Sequence, residues 1–155
     1  MAIKKALALY SGRIKQLQAG DSLEAVETGQ TSLVATSTTT KAMVGYIDGA
    51  GSFDLAKADA TGTSDVVVMA VKDISAAASG QVQTNGFIEF TTGEWDAVCG
   101  TTGGLTPGTT YFLSADTAGH LTATAPTTVG HSVVAVIIAV STTIAKICIE
   151  RPILL

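Results

Sequence analysis

GTTGGLTPGTTYFLSADTAGHLTATAP, residues 100–126, decides how the chain is read. Its grammar is turn, strand, turn, strand. Pro107 presets φ for the second position of a turn, and Gly108 accepts the positive φ that a type II turn requires next. The turn Leu105-Thr106-Pro107-Gly108 then feeds a strand over Thr109 to Ser114. Extended backbone puts Tyr111 and Leu113 on one face and Phe112 on the other. Ala115 to Gly119 is a second turn, and His120 to Ala125 returns antiparallel. This is a β-hairpin, and the expectation it sets is a chain built from short antiparallel strands.

Downstream, His131 to Val140 is an apolar run of strand length, followed by a Ser141-Thr142-Thr143 turn and an alternating strand over Ile144 to Ile149. Glu150-Arg151-Pro152 ends the sheet. Three apolar residues, Ile153, Leu154 and Leu155, close the chain, and an apolar terminus is expected to dock onto something. Upstream, Gly93-Glu94-Trp95-Asp96 reads as a turn. Its tryptophan is either a lid over the end of the core or an interface anchor. Asn85-Gly86 lies within Gln81 to Phe90 and signals a tight hairpin, with a bulged single strand as the rival. Asp65 to Val71 reads as a buried strand, and Asp73 to Gly80 as a small-residue loop. Strands are also expected over Ser32 to Ser37, Ala42 to Asp48 and Ser22 to Glu27. Ala2 to Tyr10 and Arg13 to Gln18 make a hairpin around Ser11-Gly12, because Gly12 stops the competing helix of IKKALAL too early.

About a dozen short strands with turns every eight to twelve residues predict an all-β fold, a small antiparallel β-barrel or β-sandwich with little helix. A length of 155 residues suits one domain, 1–155, with an N-terminal β arm over 1–20, or two β modules in tandem. Hydrophobic residues make up 46% of the chain and charged residues only 14%, with mean hydropathy +0.41. Such a composition predicts that part of the surface is covered by other copies or a partner.

The formal net charge of −4 argues against sequence-independent binding of nucleic acid, which relies on clustered Lys and Arg. Charge is also uneven. Lys4, Lys5, Arg13 and Lys15 make the first twenty residues basic, whereas no Lys or Arg occurs from Asp73 to Ala145. A basic N-terminal segment meeting an acidic face of a neighbouring subunit follows as a hypothesis. The apolar segment after Lys4-Lys5 is too short for a signal peptide, and the run Val133 to Val140 is too short to span a membrane. Cys99 and Cys148 lack CxxC spacing and are expected as reduced thiols.

The sequence carries no recognisable catalytic motif. GTTGGLTPGTT lacks the Lys-Ser/Thr ending of a phosphate loop. Asp48-Gly49-Ala50-Gly51-Ser52-Phe53-Asp54 lacks the alternate oxygen ligands of a calcium loop. No GxSxG elbow marks a serine nucleophile. Glu94 and Asp96 form a carboxylate pair, but the aromatics for a sugar cleft are few. His120 and His131 read as strand-edge histidines rather than metal ligands. The expectation is no enzyme, no cofactor and no metal. The candidate interface residues are Lys4, Lys5, Arg13, Trp95, Leu154 and Leu155.

ALALYSGRIKQLQAGDSL, DLAKADATGTSDVVVMAVKDISAAASGQVQTNGFIEF, GGLTPGTTYFLSADTAGHLTATAP and IERPILL together resemble a recurring β module of tailed-bacteriophage virion proteins. Modules of this kind occur in capsid decoration (cement) proteins and in head-proximal parts of tail fibres. The resemblance implies a capsid decoration protein, made in the host bacterial cytoplasm, that sits on the outer capsid surface. Its partners would be the major capsid protein and copies of itself, as a homotrimer or other homo-oligomer, with no nucleic acid, membrane or small-molecule substrate. The absence of shaft repeats and of a receptor-binding tip favours this over a fibre. The alternatives are a tail-fibre or collar adaptor and, more distantly, a carbohydrate-binding β domain.

Overall fold

A computed structural model describes residues 7–10, 13–16 and 29–155, other than 60 and 67. The expected turn at Ser11-Gly12 and strand at Ser22 to Glu27 lie outside the described residues, as do Lys4 and Lys5. The fold is all-β and antiparallel in its ladders, with one short helix among the described residues.

The strands fall into two five-stranded sheets and two ribbons. β1 (Leu7–Tyr10) and β2 (Arg13–Gln16) pair with each other, Tyr10 opposite Arg13, so strand wins over helix there. The first large sheet has the order β3 (Gln30–Val34), β7 (Ser79–Gln83), β6 (Val68–Ala70), β4 (Val44–Ile47), β5 (Phe53–Leu55). The second has the order β10 (Leu121–Thr122), β9 (Thr110–Leu113), β12 (Ala135–Ala139), β13 (Ile144–Ile147), β8 (Gly86–Glu89). β11 (Ser132–Val133) pairs with β14 (Ile153–Leu154) as a second ribbon. Neither large sheet closes into a barrel, since each has two different edge strands.

The central hairpin forms, but its return strand is only Leu121–Thr122 rather than the expected His120 to Ala125. Leu113 faces Leu121 across the ladder, and Tyr111 and Leu113 are buried while Phe112 is half-buried. Thr109 donates its backbone N–H to Thr106 O at 3.1 Å, closing the Pro107-Gly108 turn, and Gly108 has φ 80°. The Tyr111 hydroxyl accepts from Thr106 N at 3.0 Å and anchors that turn to its strand.

Three further expectations need correction. Asn85-Gly86 is neither a hairpin nor a bulge, because β7 and β8 belong to different sheets. Gly86 takes φ 88° to carry the chain from one sheet to the other. The buried Gln83 amide pins that crossing, donating to Asn85 O at 2.7 Å and Phe87 O at 3.1 Å. The apolar run 131–140 divides at Val134, whose carbonyl accepts from Leu113 N, so its two halves serve different sheets. Finally, Trp95 lies not in a turn but in α1 (Thr92–Cys99). Thr91 caps that helix through a reciprocal capping box with Glu94, and Gly100, at φ 63°, ends it in the left-handed conformation.

The larger core is shared between the sheets. Val44 and Met69 from the first join Tyr111, Leu113, Ile137 and Ala145 from the second in one cluster, which Trp95 and Val98 cap from the helix. A smaller cluster of Phe53, Val68, Ala70, Ile74 and Val82 fills the other face of the first sheet. The missing Cβ of Gly45 is what lets the Phe53 ring lie against the β4 backbone.

Candidate interaction surfaces

The proposed carboxylate pair separates into two structural tasks. Glu94 Oε1 takes the Lys41 ammonium at 2.6 Å, and Oε2 accepts from Thr91 N at 2.8 Å. The ammonium and the Thr91 amide hold the Glu94 carboxyl below its ordinary range. Asp96 turns the other way. It accepts from Thr101 Oγ1 at 2.7 Å, Gly104 N at 2.8 Å and Gly103 N at 3.0 Å, and these donors hold its carboxyl low too. The glycine loop that superficially suggested a phosphate cradle therefore spends two of its N–H groups on its own carboxylate. Asp48 does likewise, accepting from Ala50 N and Ser52 N, each at 2.9 Å.

Burial pushes the Cys99 thiol up to about 12 and raises the half-buried Cys148 as well. Both are free thiols. His120 is shifted down by burial, opposed by a hydrogen bond to the Val98 backbone. Among the described residues no group of three His, Cys, Asp or Glu side chains could hold a metal ion. No described helix is long and apolar enough to cross a membrane.

A cleft of about 700 Å³ opens where the sheets meet, between Gln30, Lys72, Phe87, Glu89 and Thr143. The Lys41–Glu94 pair closes one side of it.

The interface candidates come out unequally. Trp95 is wholly buried in the chain's own core, with its indole N–H given to Thr143 O at 2.8 Å and its ring edge-on to Phe90 at 5.1 Å. It cannot anchor a partner on this fold, because the full benefit of burying it is taken within the chain. Arg13 sits at the end of β2, and Lys4 and Lys5 are not described. Leu154 and Leu155 are 59% and 42% exposed. Their backbone is nonetheless fixed: Leu154 pairs with Ser132, Leu155 N donates to His131 O, and Gly130 N donates to Leu155 O, both at 3.0 Å. The apolar terminus docks by its main chain and leaves its side chains outward.

Sequence reasoning grouped Ile153 with those leucines but missed their neighbour Val129. Ile153 is 63% exposed and Val129 is 87% exposed, and Gly130 ties the segment carrying Val129 to the terminus. It also missed the outward face of the second sheet, where Phe87 is 66% and Ile138 is 40% exposed. β8 (GFIE) and β12 (AVIIA) show no apolar–polar alternation in the sequence, so which side of each strand is covered follows only from the distant sheet it packs on.

No family model matches the chain, and no curated protein or solved structure is significantly similar to it.

Proposed function

We propose that this chain is a non-enzymatic structural protein of a tailed-bacteriophage virion, a decoration protein that binds the outer capsid surface and braces neighbouring subunits. The observation that carries the proposal is the C-terminal ribbon. Val129, Ile153, Leu154 and Leu155 present large apolar side chains on a main chain already hydrogen-bonded in place. Such an edge loses little conformational entropy when it binds, so even a small contact gives net affinity. Repeated over many copies, weak contacts of this kind strengthen a shell.

The sequence grammar of the Pro107-Gly108 hairpin supports the same reading, as does the use of the Glu94, Asp96 and Asp48 carboxylates as internal staples. Shells assembled without this chain should form and then break at a lower temperature or under milder osmotic shock. Adding back the purified protein should restore them, and the Leu154→Asp variant should not. Shells equally robust with and without the protein would reject the role.

A further inference from the structure

The outward face of the second sheet carries a pattern that the C-terminal ribbon does not explain. Register places Phe87 opposite Lys146, Lys146 opposite Ile138, and Ile138 opposite Thr110, in one row across four strands. The next row holds Glu89 opposite Ile144, and Val140 N bonds to Ile144 O beside them. Phe87, Ile138 and Val140 are 66%, 40% and 52% exposed, and Lys146 and Glu89 are exposed too. A solvent-facing sheet side ordinarily alternates to polar residues. This one has an apolar majority with a single cation and a single carboxylate near its β8 edge. Neither Lys146 nor Glu89 enters an ion pair among the described residues.

We propose that a second copy of this chain packs on that face about a twofold axis. Phe87, Lys146, Ile144 and Glu89 stand at the corners of a small rectangle, about 4.8 Å across the strands and about 6.8 Å along them. The two charges occupy one diagonal, and Phe87 and Ile144 the other. An axis lying in the face along the Phe87–Ile144 diagonal lays Phe87 on the copy's Phe87 and Ile144 on its Ile144. The same rotation sets Lys146 over the copy's Glu89, and Glu89 over the copy's Lys146. The face is thus complementary to itself, which an isologous contact requires and a solvated face does not. The strands of the two copies would cross at roughly 70°, near the orthogonal mode of sheet packing. The contact is of the small class, so association should appear in the micromolar range and above.

Sedimentation equilibrium of the purified full chain, from about 10 to about 500 μM, tests this without any shell present, so it stands or falls apart from the virion reading. The wild type should reach a monomer–dimer equilibrium, and Phe87→Asp should remain monomeric with an unchanged melting curve. Lys146→Glu and Glu89→Lys should each weaken the dimer at least about tenfold, and the double exchange should restore it. Because both charged residues are exposed, this exchange keeps the test decisive even if Phe87→Asp fails to fold. A wild type that stays monomeric throughout would overturn the proposal. So would a dimer indifferent to Phe87→Asp, or a double exchange that rescues nothing.

Discussion

Trp95 donates its indole N–H to the carbonyl oxygen of Thr143 at 2.8 Å, joining α1 to the turn between β12 and β13. The ring is fully buried, so this bond and the packing around it hold the helix on the shared core. Trp95→Ala should cost about 3–5 kcal/mol in a urea titration. Trp95→Phe keeps most of the ring and removes one of the two donors to the Thr143 carbonyl, leaving Phe90 N at 3.1 Å, and should cost about 1 kcal/mol. Equal, negligible losses would mean that the helix is not seated as described.

The capping box gives a smaller and separable effect. Thr91→Ala removes the hydroxyl that accepts from Glu94 N at 3.3 Å and should cost about 1 kcal/mol. Lys41→Met should lower the denaturation midpoint slightly at low salt and less at high salt, because the Lys41–Glu94 pair is partly exposed.

Glycine positions separate collision from backbone strain. A Cβ at Gly45 would run into the Phe53 ring and the Asp54 carbonyl, so Gly45→Ala should cost about 2 kcal/mol or more. At Gly108 a Cβ would meet nothing within 4 Å, but φ is 80°. Gly108→Ala should therefore cost only about 1 kcal/mol, the strain of a left-handed residue. Thermal unfolding of both variants checks the order.

Acid should weaken the fold in two stages. Burial lowers the folded pKa of His120 below its ordinary 6.5, so its contribution is complete above that value and is lost as pH falls through the folded one. The Glu94 and Asp96 carboxyls are also held low, so theirs is complete above the ordinary values of 4.5 and 3.8 and drains as pH falls further. Urea midpoints between pH 8 and pH 3 should fall gently first and more steeply below about pH 4.5. His120→Gln should remove the first stage, and Asp96→Asn should flatten the second.

Thiol reactivity should divide likewise. Cys148, half-buried, should react slowly with a disulfide reagent at pH 8, and Cys99, pushed up to about 12, should react only on unfolding. Two equally fast thiols would contradict the burial of Cys99 at the C-terminal end of α1.

What the sequence made legible was local. Pro107-Gly108 and the Tyr111/Leu113 alternation describe a hairpin within one stretch of chain, and it forms. α1 was concealed by its composition, since Thr92 and Gly93 open it and Val98 nearly ends it. Its readable sign was the Thr91-x-x-Glu94 capping box. Asn85-Gly86 misled because a positive φ serves a crossing between sheets as well as a turn within one. Of the candidate surface, Leu154 and Leu155 were legible as an apolar terminus. Phe87 was not, because its exposure follows from pairing β8 with β13, more than fifty residues away.

The most direct test is to titrate the purified chain onto shells that lack it and count bound copies by cryo-electron microscopy. The virion account predicts saturation at symmetry-related positions on the outer surface, in the hundreds per shell, with the ribbon of Ile153, Leu154 and Leu155 against the capsid and no binding by Leu154→Asp. Failure of the wild type to bind any shell, or binding that Leu154→Asp leaves intact, would contradict it.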